Sequence, residues 1–591
     1  MTSVIGSRAQ TQTTYGDVTV EQSVPARMRD GVTLYADVYR PATTTDLPVL
    51  LMRVPYGKAL AQSNVYRHPA WFARQGFMVV IQDTRGRWSS EGEFTPYRDE
   101  FADGYDTVEW AAALPRCTGR VGMYGLSYAG STQLLAALSQ PPHLSAIAPA
   151  MTSIDFYKYK TYRGGAFALA FSMGWASNLS ADAAHKRGDV ALEAELYAAH
   201  FRKTMWQWYA HLPLNDVPPL RKDLARYYYE WLEHWKYDDY WKEVSVERQL
   251  DRLQVPALHV GGWYDMYADS TVRAFRALDD GGNGVNRGEQ RIIMGPWSHG
   301  PSWTQYVGEA DFGDAARPGV NDALVRWYRR WLHGEPDAGD ARVQLFLTGE
   351  NAWRSYDAWP SSSGTRVYLT SAGAANSNAG NGALRASAID TEPDVFVYNP
   401  RNPVPSFGGN TNVDAGRNPV GPFDHRRVEA RNDVLVYTSP ALRRDVEVVG
   451  PVRATIHAAS SGTDADFTAK LLDVTADGRA LNLADGIRRG SSRESIESPS
   501  PIVPGETYAY EIDLGVAGHV FKAGHRIRVE VSSSNFPAYA RNPSVFRPPG
   551  EYDLADATYA TQLVHHDQAR PSCVVLPVLG DGAARLSLEG E

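Results

Sequence analysis

The chain has 591 residues, 43% hydrophobic and 21% charged, which is too long for one hydrophobic core and ordinary in composition for a globular protein. Its 59 Lys and Arg against 68 Asp and Glu give a net charge of −9, with no basic stripe, which argues against a nucleic-acid binder. Only Cys117 and Cys573 are present, excluding a disulfide framework and a zinc ribbon, and neither an apolar leader core nor a run of about 18 apolar residues is found, so a cytoplasmic protein off the membrane is expected.

In chain order, LPVLLMRVPYG (47–57) and FMVVIQDTRG (77–86) are short apolar runs ending in glycine, the pattern of strands buried on both faces of a parallel sheet. HPAWFARQG (68–76) between them fits a short helix with a glycine stop. DGYDTVEWAAALP (103–115) predicts an amphipathic helix, acidic in its early turns and ended by proline. VGMYG (121–125) predicts a strand, SYAGSTQLLAALSQ (127–140) a helix and LSAIAPAM (144–151) another strand. This alternation implies a doubly wound α/β sheet with right-handed crossovers.

From 152 to 248 the pattern turns helical and rich in Trp and Tyr, an insertion in the sheet domain. VPALHVGGWYD (255–265) and RIIMGPWSHG (291–300) return as strand-to-loop units, and VNDALVRWYRRWLHG (320–334) is a closing helix stopped by Gly334. After about residue 355 short strands with Pro, Gly and Asp turns predict an all-β sandwich, a jelly roll. The pair His565-His566 reads as a surface feature rather than a metal site, and GGNGVNRG (281–288) lacks the flanking strand and helix of a phosphate loop.

Within GRVGMYGLSYAGSTQLLAAL (119–138), Ser127 lies between Gly125 and Gly130, after a strand and before a helix. That is the context of a nucleophile elbow, whose sharp turn needs small neighbours. An α/β-hydrolase then requires an acid and a histidine, in that order, each in a loop after a strand. Asp265 in GGWYDMYADS and His299 in GPWSHG meet both conditions. His299 would take the proton from Ser127 and return it to the leaving group, with Asp265 fixing the imidazole tautomer. One oxyanion donor would be the backbone N–H of Tyr128. No HGGG motif supplies the second; Tyr56 in RVPYG could donate its phenolic proton or be a packed aromatic at a strand end.

GLSYAG, RVPYG, QDTRGRWSSEGEF, GGWYD, GPWSHG and GHRIRVEVSSSNFP together resemble the cocaine-esterase and X-Pro dipeptidyl-peptidase-like serine hydrolases, with motifs from about residue 25 to 545. The resemblance implies an α/β-hydrolase domain in two parts (17–151 and 249–355), a helical cap (152–248) and a C-terminal jelly-roll β-sandwich (356–591). It implies Ser127, Asp265 and His299 as the triad, and the Tyr56 hydroxyl with the Tyr128 amide as the oxyanion hole. With no H-E-x-x-H, Walker A or Rossmann glycine motif in the sequence, no cofactor and no metal are implied. Trp88, Trp175 and Tyr267 are candidates for the substrate wall, with the loop SFGGNTNVD (406–414), polar at Asn410, Thr411 and Asn412, closing it. The expected activity is hydrolysis of carboxylic esters of small acyl groups through an acyl-enzyme. The alternatives are an X-Pro dipeptidyl peptidase, α-amino-acid ester hydrolase or amidase on the same triad, and remotely a non-catalytic binding protein. The aromatic cap leaves a homodimer open.

Overall fold

The computed structural model describes residues 11–59, 65–201, 205–281, 288–299, 303–317, 319–410, 420–580, 586 and 588. Strands of the first sheet are β1 (Thr11–Tyr15), β2 (Val18–Arg27), β3 (Thr33–Pro41), β4 (Leu47–Val54), β5 (Met78–Asp83), β6 (Cys117–Leu126), β7 (Leu144–Ala150), β8 (Leu258–Tyr264), β9 (Arg291–Ser298), β10 (Val343–Leu347) and β11 (Ala352–Tyr356). They lie in the order β1-β2-β3-β5-β4-β6-β7-β8-β9-β10-β11. From β5 to β10 every pairing is parallel, and the edges β1–β3 and β11 are antiparallel. The chain reverses its direction of winding between the neighbours β4 and β6, which opens a crevice at their carboxyl ends.

The central strands are apolar throughout because helices cover both faces. Val49 and Leu51 of β4 pack with helices α2 (Glu100–Ala112) and α3 (Tyr128–Leu138). Leu50 and Met52 face α1 (Pro69–Arg74) and the closing helix that begins at Val320. That closing helix is α-helical to Tyr328, continues as a π turn over Arg329–His333, and stops at Gly334 with φ 76°.

The region 152–248 is less uniformly helical than its sequence suggests. It begins with a π-helical turn, Tyr157–Thr161, and a tight hairpin, Tyr162–Arg163 with Ala166–Phe167, before α4 (Leu169–Arg187) and shorter helices follow. Beyond β11 the chain forms a separate β domain with an eleven-stranded sheet and its own core of Val, Leu, Ile and Phe. Its strand Thr507–Phe521 meets the first sheet: Thr348 donates to the Gly518 carbonyl at 3.0 Å and Val520 donates to the Thr348 carbonyl at 2.8 Å.

Two expectations need correction. His565 and His566 are buried, not on the surface: His566 is held by Asp394 at 2.9 Å, Ser371 at 3.2 Å and Thr391 at 2.7 Å. The sequence before Leu47 also carries a whole antiparallel unit, β1–β3, that its alternating pattern announces and the strand–helix reading passes over.

Candidate active site

Ser127 sits between β6 and α3 at φ 63°, ψ −122°, a strained backbone for a residue with a side chain. The turn is held from several sides. The Ser127 amide donates to Ala150 at 3.0 Å, and its carbonyl accepts from Ser131 at 3.0 Å and from the Thr152 hydroxyl at 2.8 Å. A Cβ on Gly125 would come within 2.5 Å of Ala129, and one on Gly130 within 2.7 Å of Thr152. Only small residues at these positions let the helix start so close to the strand.

Asp265 and His299 follow β8 and β9, the next strands but one and two along the sheet, and the structure brings them to Ser127. His299 Nε2 is 3.0 Å from Ser127 Oγ, and Nδ1 donates to Asp265 Oδ2 at 2.5 Å. Asp265 is fully buried, and its other oxygen accepts from the Tyr267 amide at 2.7 Å. An ionised carboxylate only accepts, so the Nδ1 proton is fixed toward Asp265 and Nε2 is left to take a proton from the serine. The Tyr267 ring stands edge-on to His299 with centroids 5.3 Å apart, limiting imidazole rotation.

Tyr56 lies just beyond β4, across the crevice. Its hydroxyl faces Ser127 and accepts from Trp175 Nε1 at 3.0 Å. Indole N–H is a donor only, so the tyrosine's own proton is directed away from Trp175 and is available to the site. Burial raises Tyr56 above the ordinary phenol range, which keeps that proton in place. Tyr128 opens α3, where a backbone N–H has no acceptor in its own helix. Its side chain is tied away from the site: the hydroxyl donates to Glu100 at 2.9 Å and accepts from the Tyr97 amide at 3.1 Å.

Trp88 packs on Gly57, the residue after Tyr56, where an added Cβ would be 2.8 Å from the indole. Trp175 and Tyr267 join Phe171 and Met266 in one apolar cluster beside His299. Asn410 is buried and 3.4 Å from Arg163, whereas Thr411 and Asn412 lie outside the described residues. Most of the loop 281–288 is likewise outside them.

Sequence reasoning missed the residue that anchors the Tyr56 loop. Buried Arg87 donates to the Pro55 carbonyl at 2.9 Å, the Leu179 carbonyl at 3.0 Å and Asp182 at 2.5 Å, clamping loop to cap. The motif RGRW contains it, but two of its three partners, Leu179 and Asp182, lie on α4, 92 and 95 residues on. Among the described residues no group of three His, Cys, Asp or Glu is placed to hold a metal ion, and no helix is long and apolar enough to cross a membrane.

Residues 30–301 match the X-Pro dipeptidyl-peptidase (S15) family and residues 338–575 the X-Pro dipeptidyl-peptidase C-terminal non-catalytic domain. The cocaine esterase of Rhodococcus sp. (strain MB1 Bresler) is 38% identical over 578 residues, covering 95% of this chain and 99% of that protein. Among solved structures, an aminopeptidase from a marine sediment Thaumarchaeota archaeon is 25% identical with a TM-score of 0.80, over 98% of this chain and 100% of that one. A solved α-amino acid ester hydrolase is 26% identical with a TM-score of 0.77 over the same shares, 98% and 100%.

Proposed function

Because the chain belongs to the cocaine-esterase and X-Pro dipeptidyl-peptidase-like family of serine hydrolases, we propose that it hydrolyses carboxylic esters of small acyl groups with Ser127 as nucleophile. The observation that carries this reading is the relay from Ser127 Oγ to His299 at 3.0 Å and on to Asp265 at 2.5 Å. His299 takes the Ser127 proton as Oγ attacks the ester carbonyl, and Asp265 stabilises the imidazolium. Tyr56 and the Tyr128 amide receive the charge that develops on the carbonyl oxygen. The tetrahedral intermediate collapses by breaking the bond to the alcohol, which leaves with the proton held by His299. Water then attacks the acyl-enzyme through the same base, releasing the acid and restoring Ser127. Trp88, Trp175 and Tyr267 form part of the substrate wall in this reading. The C-terminal domain, as a jelly roll, packs against the hydrolase and cap. The free thiols of Cys117 and Cys573 suit the reducing cytoplasm.

Likeness to an aminopeptidase and an α-amino acid ester hydrolase keeps amide or amino-acyl substrates as the second reading. Those need carboxylates free to hold an ammonium. Three buried carboxylates near this site are already engaged: Asp182 with Arg87, Glu100 with Arg53 and Asp269 with Arg273. Wild type and Ser127→Ala should be compared on p-nitrophenyl acetate, butyrate and benzoate and on Gly-Pro-p-nitroanilide. We expect ester turnover that the substitution abolishes and an untouched anilide. Preferential anilide cleavage would overturn the ester assignment, and equal activity of the two proteins would overturn the nucleophile.

A further inference from the structure

Lys160 lies on the π-helical turn Tyr157–Thr161, a winding that recurs at functional sites because it displaces one residue out of helical register. Its side chain is buried, at 1% exposure, and its Nζ reaches no hydrogen-bond partner. The surroundings are aromatic: Nζ lies 3.6 Å from the ring centroid of Trp231, 4.9 Å from Trp175, 5.2 Å from Phe171 and 5.7 Å from Tyr97. Burial alone holds this amine well below the usual lysine range, and no charged neighbour offsets it.

An amine withdrawn from water without an acceptor destabilises the fold, and aromatic faces make up only part of that loss. Its position indicates what does. Trp175 offers its face to Lys160 and its Nε1–H to Tyr56 at 3.0 Å, so one indole separates the amine from the oxyanion donor. Phe171 and Trp175 also pack with Met266 and Tyr267, the two residues after Asp265. The unsatisfied amine therefore stands one aromatic ring away from Tyr56, in apolar surroundings.

We propose that Lys160 is a specificity residue that pairs with a carboxylate at the far end of the acyl group, so that the preferred substrates are hemiesters of dicarboxylic acids. The inference rests on the serine-esterase reading and names its acyl class. A carboxylate is both an acceptor and a counter-charge, and its arrival lets the amine take a proton from solvent and form a charge-assisted hydrogen bond. A neutral acyl chain leaves the amine unpartnered, so discrimination of about 10- to 100-fold in kcat/KM is expected.

The test compares p-nitrophenyl butyrate, p-nitrophenyl 4-oxopentanoate and the hemisuccinate, hemiglutarate and hemiadipate esters at pH 7, with Ser127→Ala as the blank for self-hydrolysis. Wild type should prefer the best hemiester to butyrate by about 10- to 100-fold, and Lys160→Met, apolar and of similar length, should reverse the order. The free dicarboxylates should inhibit butyrate hydrolysis competitively and raise the thermal midpoint of wild type and of Ser127→Ala, but not of Lys160→Met. The proposal is overturned by a wild-type preference for butyrate, by a ratio that Lys160→Met leaves unchanged, or by 4-oxopentanoate serving as well as the hemiesters. Full activity of Ser127→Ala would instead remove the nucleophile reading, while dicarboxylate protection would still report on the amine. If Lys160→Met does not fold, inhibition of wild type by glutarate but not by the neutral butyramide decides for the proposal, and equal inhibition decides against it.

Discussion

At the scale of single residues, the hydroxyl of Tyr56 has a task that follows from who donates to it. Trp175 gives its indole N–H to the Tyr56 oxygen, which directs the phenolic proton toward Ser127; in the proposed mechanism that proton would serve the oxyanion during attack. Tyr56→Phe keeps the ring and removes the donor, and should lower kcat by roughly 10²–10³ with little change in KM. Trp175→Phe keeps the aromatic wall but frees the hydroxyl to rotate, and should lower kcat by about tenfold. The second effect acts through the first, so Trp175→Phe should cost nothing further in the Tyr56→Phe background. Steady-state kinetics on one neutral ester checks this; additive losses would mean that Trp175 acts on substrate directly and does not orient Tyr56.

At the scale of elements, β8 carries a buried histidine whose effect is on stability. His259 lies under Phe275 and 3.1 Å from Gln290, and burial pushes it from 6.5 down to about 4. The folded form is neutral over a range where the unfolded chain binds a proton. Its stabilisation is complete above pH 6.5 and falls away as pH drops toward 4, by an amount on the order of 3 kcal/mol. His259→Gln removes the titration, so the wild-type thermal midpoint should fall faster than the variant's between pH 7 and pH 4.5. Parallel curves would show that His259 does not titrate between the two states.

The same elements show what a sequence discloses. β4 and β5 announce themselves as unbroken apolar runs because both faces are covered, and the order Ser127, Asp265, His299 is readable because each follows such a run. The aromatic residues of the cap were not separable in this way. Helical spacing marks Trp175 as buried without saying that its N–H meets Tyr56, and nothing local to Lys160 tells that its end is left unpartnered. The burial of His566 is hidden from the sequence for a related reason. Its partners Asp394, Ser371 and Thr391 stand on strands and turns nearly two hundred residues earlier.

At the scale of the whole molecule, the β domain is built into the catalytic side of the first sheet. Gly518 of strand Thr507–Phe521 lies flat against Trp263, where an added Cβ would come within 2.3 Å of the indole ring. Trp263 cannot step aside easily, since its Nε1–H is held by the Phe346 carbonyl at 2.6 Å, and it precedes Asp265 by only two residues on the end of β8. A methyl group at 518 must therefore part the two domains or shift the strand end that aims Asp265 at His299. Overpacking of this kind destabilises by about 1–3 kcal/mol, and a displaced acid lowers kcat because the imidazole loses its fixed tautomer. Gly518→Ala should thus lower both the thermal midpoint and kcat although it lies outside the domain that holds Ser127, Asp265 and His299. Gly478→Ala, at a glycine of the β domain with φ 85° and nothing within 4 Å of its Cβ, strains the backbone without a clash and should leave kcat unchanged. If Gly518→Ala lost stability with no change in kcat, the domain contact would be a support for the fold alone; a fall in kcat at full folded population would make the β domain part of the machinery that positions the acid.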